Sequence, residues 1–329
     1  MAIGIFGLAS LQRMPAAPVL SQPLTLGLLL LWAFIAASYV ASYRNGTFGE
    51  HLASPVGRFA VGTSVAATAV LARMILLGIP DWRSLAALLG LLSAALWIGF
   101  LVLAVRSIPT VVARSSAKLV PGVIFLSTVS TQALSLAIMD LFPAQRYAQR
   151  VAVGLIALGA ACYVVCAALV ARSHLRTTGW SLKDDWDNTN CMLHGAMSIT
   201  GLALVVSGAA PPQAALALWV YVLAVFVAVE AIELARLLSR IRAYGFRRGA
   251  MTYRVTQWSR NFTFGMFYAF TLALTMHGGV AEAETLAAVQ RAVVAYGPYV
   301  VLALLVVEIV VYLDGRVRGR ETGLPAART

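Results

Sequence analysis

The nearest approach to a catalytic constellation in this chain is Asp184, Asp185, Asp187 and His194. Carboxylates and an imidazole can hold a divalent metal that activates water, and that would make a membrane-embedded metal enzyme. However, Asp187 and His194 are separated by nearly two helical turns, and no second His or Cys completes a zinc-type spacing. The same acidic cluster also suits the start of a helix near residue 189, where negative charge meets the positive end of the helix dipole. On that reading His194 is a hydrogen-bonded interior residue. Glu230, Glu233 and Glu308 interrupt apolar runs. Glu233 is spaced to pair with Arg236 one turn on, and carboxylates at membrane depth can also relay protons, which leaves proton-coupled export open. No phosphate-cradling glycine loop occurs, so this chain contains no ATP-driven pump.

A second kind of chemistry is carried by neutral side chains. Residues 127–135 hold Ser127, Thr128, Ser130, Thr131, Gln132 and Ser135. Thr128, Thr131 and Ser135 recur at spacings of three and four, which puts them on one helix face. Hydroxyl donors can partly replace the hydration of a small anion without binding it too tightly to release, so these three are read as pore-lining. The competing reading is that each hydroxyl bonds back to its own helix. Segment 252–277, TYRVTQWSRNFTFGMFYAFTLALTMH, is long enough to span a bilayer yet carries Arg260, Asn261, Thr263, Thr271 and Thr275. Polar groups at that depth face protein or water, not lipid. Arg58 and Arg73, both in one segment, are candidate sources of anion attraction. Arg58 is near enough to its helix end to snorkel, and Arg73 can instead pair with a carboxylate such as Asp81.

The elements that would position these groups follow from composition. Of 329 residues, 60% are hydrophobic and only 12% charged, with a mean hydropathy of +0.83, which describes an integral membrane protein. The net charge of +12 comes from arginines between apolar runs, where they set topology and meet anionic headgroups, and nucleic-acid binding is set aside. Cys162, Cys166 and Cys191 lie in apolar runs and read as small buried hydrophobes. The start of the chain lacks the charged leader of a cleaved signal peptide. At about 20 apolar residues per crossing, nine membrane helices are expected: 22–43, 57–79, 84–105, 119–142, 151–171, 189–209, 213–237, 252–277 and 293–313. The basic linkers after residues 105 and 238 and the basic tail 314–329, with Arg316, Arg318 and Arg320, place the C-terminus in the cytoplasm.

Polar and greasy helices alternate. Segments at 57, 119, 189 and 252 are rich in polar groups, whereas those at 84, 151, 213 and 293 are almost purely aliphatic. The expectation is an all-α membrane protein of repeated helical hairpins, with an inner ring of polar helices around a pore and an outer ring of apolar ones. Glycines at 57, 62, 122, 195, 201 and 265 allow close helix contact, and Pro121 can start or kink its helix.

Three stretches then carry a likeness. Residues 258–269, WSRNFTFGMFYA, resemble the penultimate helix of the tellurite-resistance and C4-dicarboxylate transporter family, which includes plant guard-cell slow anion channels. Residues 54–63, SPVGRFAVGT, and 120–137, VPGVIFLSTVSTQALSLA, resemble earlier inner helices of that family, in order along the chain. The resemblance implies five inner and five outer helices around a pore in each subunit, in a homotrimer, with a phenylalanine on the ninth helix closing the pore. On this sequence the gate would be Phe262, with Phe264 as the fallback if the register shifts by two. Trp258, Gly265, Met266 and Thr63 would join the lining. Trp258 and Met266 fall within about 40° of Phe262 on a helical wheel and Arg260 about 160° away, so Arg260 is not assigned to the anion. One departure is that the hairpin period asks for a first inner helix ending before residue 20, where residues 1–14 supply only a half-helix.

These readings combine into an anion channel or facilitative anion transporter for small inorganic or carboxylate anions, with no cofactor and no metal. Short loops without added domains suggest a bacterial inner membrane. Two alternatives remain: the metal-dependent membrane enzyme built on Asp184, Asp185, Asp187 and His194, and a non-conducting structural membrane subunit.

Overall fold

A computed structural model describes residues 1–143 and 145–317. The structure is all-α, with no strand among the described residues. A backbone in hydrocarbon must satisfy every N–H and C=O internally, and a helix does this within one segment. Among the described residues, eight helices are long and apolar enough to cross a membrane. The segment expected at 252–277 forms a 19-residue helix, Trp258–Met276, that is not one of the eight. It has the length, but Arg260, Asn261 and its threonines dilute the apolar character that lipid contact demands.

Twelve α-helices follow in chain order: α1 (Ala2–Ile5), α2 (Ala17–Arg44), α3 (Phe48–His51), α4 (Gly62–Gly78), α5 (Arg83–Arg114), α6 (Leu126–Leu141), α7 (Arg146–Arg176), α8 (Leu182–Asp185), α9 (Met192–Ser207), α10 (Pro212–Ala250), α11 (Trp258–Met276) and α12 (Glu284–Val317). Each polar helix is entered through a 3₁₀ turn: Gly57–Val61 before α4, Gly122–Phe125 before α6, Asn188–Cys191 before α9 and Val255–Gln257 before α11. Pro121 sits just outside its turn in extended backbone (φ −74°, ψ 157°), so it starts the helix without kinking it.

Burial separates the two kinds of helix. The most apolar stretch of Gly122–Leu141 is 83% buried and that of Asn188–Ser207 is 78% buried, against 22% for Pro212–Ala250 and 22% for Glu284–Val317. Polar helices are therefore inside and greasy ones outside. Each polar helix packs on the greasy one that follows it, α4 on α5, α6 on α7, α9 on α10 and α11 on α12, and the polar helices also pack on one another, α4 on α6, α6 on α9 and α9 on α11.

Residues 1–13 do more than fill surface. α1 continues into a π-helical turn, Phe6–Ser10, and a 3₁₀ turn, Leu11–Arg13, and most of this stretch is buried. It packs on both α4 and α11. Gly4 lies against Val70, Gly7 against Met74 of α4, and Ile5 against Gly265 of α11. The half-helix expected there is thus wedged between the first and last polar helices.

The linker expected after residue 238 is instead helical. α10 runs on through the arginines, because Arg, Ala and Leu are good helix formers, and turns back at Gly245, whose φ of +74° suits a residue without a side chain. The returning backbone is held by Arg240, whose Nε donates to the Gly249 carbonyl at 3.1 Å. Of the expected basic tail, Arg316 lies in the last described turn of α12, and Arg318 and Arg320 lie outside the described residues.

Candidate functional site

The rotation of α11 about its axis is set by what its side chains touch. Toward α10, Arg260 forms an ion pair with Glu230, the Phe264 ring meets Phe226 at 4.9 Å, Phe267 stacks on Phe226 at 4.8 Å, and Thr271 accepts from Trp219 Nε1 at 2.8 Å. Toward α9, Thr263 fits over Gly195 and Phe270 over Gly201. Toward α12, Tyr268 lies over Gly297. A wheel at 100° per residue puts Phe262 about 170° from the face that meets α10. Phe262 is 1% exposed and Met266 wholly buried, and both turn toward the bundle interior.

The other residues expected around Phe262 divide. Phe264, the fallback gate, faces α10, with the Arg260 guanidinium 5.7 Å from its ring. Gly265 faces helices: a side chain there would meet Ile5 Cγ2 at 2.8 Å and Val301 Cγ1 at 3.8 Å. It is a close-contact position. Trp258 is half-buried and donates from Nε1 to the Tyr253 hydroxyl at 3.1 Å. Thr63 is exposed near the start of α4.

The hydroxyl row of α6 turns away from the interior. Thr128 donates to the Gly159 carbonyl at 3.0 Å, Gln132 to Ile156 at 3.2 Å and Ser135 to Ala152 at 3.2 Å, all on α7. Thr131 accepts from Trp97 Nε1 of α5 at 2.9 Å while donating to its own helix at Ser127. The three do share one face, and on it these hydroxyls bond to the neighbouring helices α5 and α7. The physical reason is that a carbonyl or indole N–H in apolar surroundings needs a partner, and a buried hydroxyl supplies one at little cost in volume. The opposite face of α6 carries Ser130, Ala133 and Ala137, all small.

Several charged residues inside the bundle are paired, whereas the buried Arg240 and Glu308 have no ion-pair partner among the described residues. Arg73 joins Asp140 of α6, not Asp81 as the sequence suggested, because α4 and α6 lie side by side. Arg58 donates from Nε to the Leu52 carbonyl at 2.8 Å. Glu233 pairs with Arg236 at 3.3 Å and accepts from Trp186 Nε1 at 2.8 Å, and Arg236 reaches Asn188 Oδ1 at 2.6 Å. His194, fully buried, sits edge-on to Phe226 with Nε2 4.0 Å from Glu230 Oε1, and neither ring nitrogen has a hydrogen-bond partner. The interior position expected of His194 is met, and the hydrogen bond expected with it is not. Glu230 and Arg260, both partly exposed, and the buried His194 form one cluster between α9, α10 and α11. Sequence spacing could not find it, since its members come from three helices.

The acidic cluster does not converge on His194. Asp187 caps the turn before α9, accepting from the Thr189 amide at 2.8 Å, as its place at a helix start suggested. Asp185 accepts from the Ser181 amide at 2.7 Å and Asp184 from the Tyr244 hydroxyl at 2.7 Å. No group of three His, Cys, Asp or Glu able to hold a metal occurs among the described residues. The three cysteines are free thiols, Cys166 and Cys191 buried and Cys162 half-buried.

Comparison with known protein families, with curated proteins and with solved structures finds no match to this chain.

Proposed function

We propose that this chain is an anion channel or facilitative anion transporter in which Phe262 closes a pathway through the middle of the helix bundle. One observation carries the reading. Contacts to α9, α10, α12 and residues 1–13 surround α11 on all but one side, and the side left over presents Phe262 and Met266. The succession of neighbours supports a ring of five inner elements: α1, α4, α6, α9 and α11, returning to α1 through Ile5 and Gly265. The half-helix at residues 1–13 then takes the fifth inner position.

The chemistry of such a pathway is a narrow, apolar constriction. An aromatic ring across small side chains such as Ala133 and Ala137 excludes water, and a dewetted constriction does not pass ions until the ring moves aside. Selectivity for anions would come from the arginine-rich end of the molecule, where Arg240 and Arg254 concentrate anions electrostatically. The hydroxyls at Thr128, Thr131 and Ser135 have no part in it. Likeness to the tellurite-resistance and C4-dicarboxylate transporters, a trimeric assembly and a bacterial inner-membrane location with a cytoplasmic C-terminus belong to this same proposal.

The test is anion conductance of the purified chain in planar bilayers, wild type beside Phe262→Ala. A large rise in the variant is expected. Silence from both, with the protein folded and inserted, overturns the reading.

A further inference from the structure

A cavity of about 350 Å³ opens at the arginine-rich end between α10, α11 and α12. Four arginines line it, Arg236, Arg240, Arg254 and Arg260, with two carboxylates, Glu233 and Glu308. Two of the arginines are neutralised by partners, Arg236 by Glu233 and Arg260 by Glu230. Arg240 gives its N–H groups to the backbone carbonyls of Gly249, Lys183 and Arg248 and keeps its full charge. Arg254 has no ion-pair partner among the described residues. The cavity is therefore net positive.

Three of its side chains are more than nine-tenths buried and hold a polar atom with no partner in the protein: Arg236 Nε, Asn261 Oδ1 and Glu308 Oε1. Such atoms are costly to leave unmet, and a bound ligand is one way to meet them. Asn188, Thr252 and Gln257 add polar groups to the wall, and its apolar part is continuous with the outside of the bundle. Leu237, Phe246 and Val307 line the cavity and are exposed on the outer surface, where hydrocarbon would surround them.

We propose that this cleft binds a phosphate-bearing anion, supplied as the headgroup of an anionic glycerophospholipid. The phosphate oxygens would accept from Arg254 and from Arg236 Nε. Asn261 and Glu308 offer acceptors, which calls for a headgroup with hydroxyl donors, as in phosphatidylglycerol. The acyl chains would run over Leu237 and Val307. The apolar wall is what favours a lipid over a free oxyanion, and the site stands independently of any role for Phe262.

The experiment is native mass spectrometry of the full chain in neutral detergent with added phosphatidylglycerol, phosphatidylcholine or inorganic phosphate. The variant is Arg254→Gln, with circular dichroism as the folding control. The expected result is saturable retention of phosphatidylglycerol, none of phosphatidylcholine, and affinity about tenfold weaker in the variant, as for the loss of one charge-assisted contact. If Arg254→Gln fails to fold, Asn261→Leu, which removes a headgroup acceptor without changing the charge of the site, takes its place with the same direction of effect. Equal retention by variant and wild type, or of both lipids, overturns the site. Displacement of the lipid by millimolar phosphate overturns the lipid source and leaves a soluble oxyanion as the ligand.

Discussion

The outward-facing hydroxyls of α6 offer the sharpest separation between a structural and a functional role. In a triple variant, Thr128→Val, Thr131→Val and Ser135→Ala, three interhelical hydrogen bonds disappear while side-chain volume changes little. Two of them end on α7 carbonyls, Gly159 and Ala152, which keep their own helix bonds. A bond of this type between membrane helices contributes about 0.6 kcal/mol on average. The third leaves the indole N–H of the half-buried Trp97 without its acceptor at Thr131, and an orphaned donor shielded from water costs about 1–3 kcal/mol. Together the loss is about 2–4 kcal/mol, large against the stability of most proteins. It is measurable by reversible unfolding in mixed micelles, as a lowered midpoint with unchanged slope. Anion flux through the folded fraction in liposomes should match wild type in rate and in selectivity. If the triple variant is as stable as wild type and instead alters selectivity, these hydroxyls line the pathway and the reasoning fails.

Other outcomes follow from particular contacts. Gly122→Ala drives a methyl into the backbone of Thr189 and Asn190, which cannot move aside as a side chain can, and strains the 2.9 Å hydrogen bond that the Gly122 N–H donates to Asn190 Oδ1. A loss of about 3 kcal/mol is expected from overpacking, read as a lower thermal midpoint. Asp140→Asn leaves the Arg73 guanidinium without its counter-charge, and the double variant with Arg73→Met should recover stability relative to it in a double-mutant cycle. Asp187→Ala removes the cap from the turn before α9 and should cost about 1 kcal/mol. A chelator added to wild-type protein should leave the thermal midpoint unchanged, whereas a drop of several degrees would revive the metal-enzyme reading of Asp184, Asp185, Asp187 and His194.

Legibility in the sequence followed the range of the forces involved. Hydropathy and helix period act along the chain, so eight of the nine expected apolar helices, the alternation between polar and greasy, the cap at Asp187 and the Glu233–Arg236 pair were readable from the sequence. Arg260 and Phe262, two positions apart on one helix, had to face opposite ways by the same arithmetic. The basic stretch after residue 238 was misleading. Its charge marked it as a linker, whereas helix propensity carries α10 through it to Gly245.

What only tertiary structure decided is which neighbour each polar side chain meets. Thr128, Thr131 and Ser135 form one face in any helix, but whether that face meets a pathway or a partner helix depends on how α5 and α7 dock, and they dock against it. Arg73 had Asp81 near in sequence and found Asp140, because α4 packs beside α6. Glu230, Arg260 and His194 meet from three helices separated by loops of no informative composition. A bilayer permits only a few backbone forms, so the sequence alone determines that this is a multi-helix membrane protein. Pairing among those helices is settled by contact, one buried group at a time.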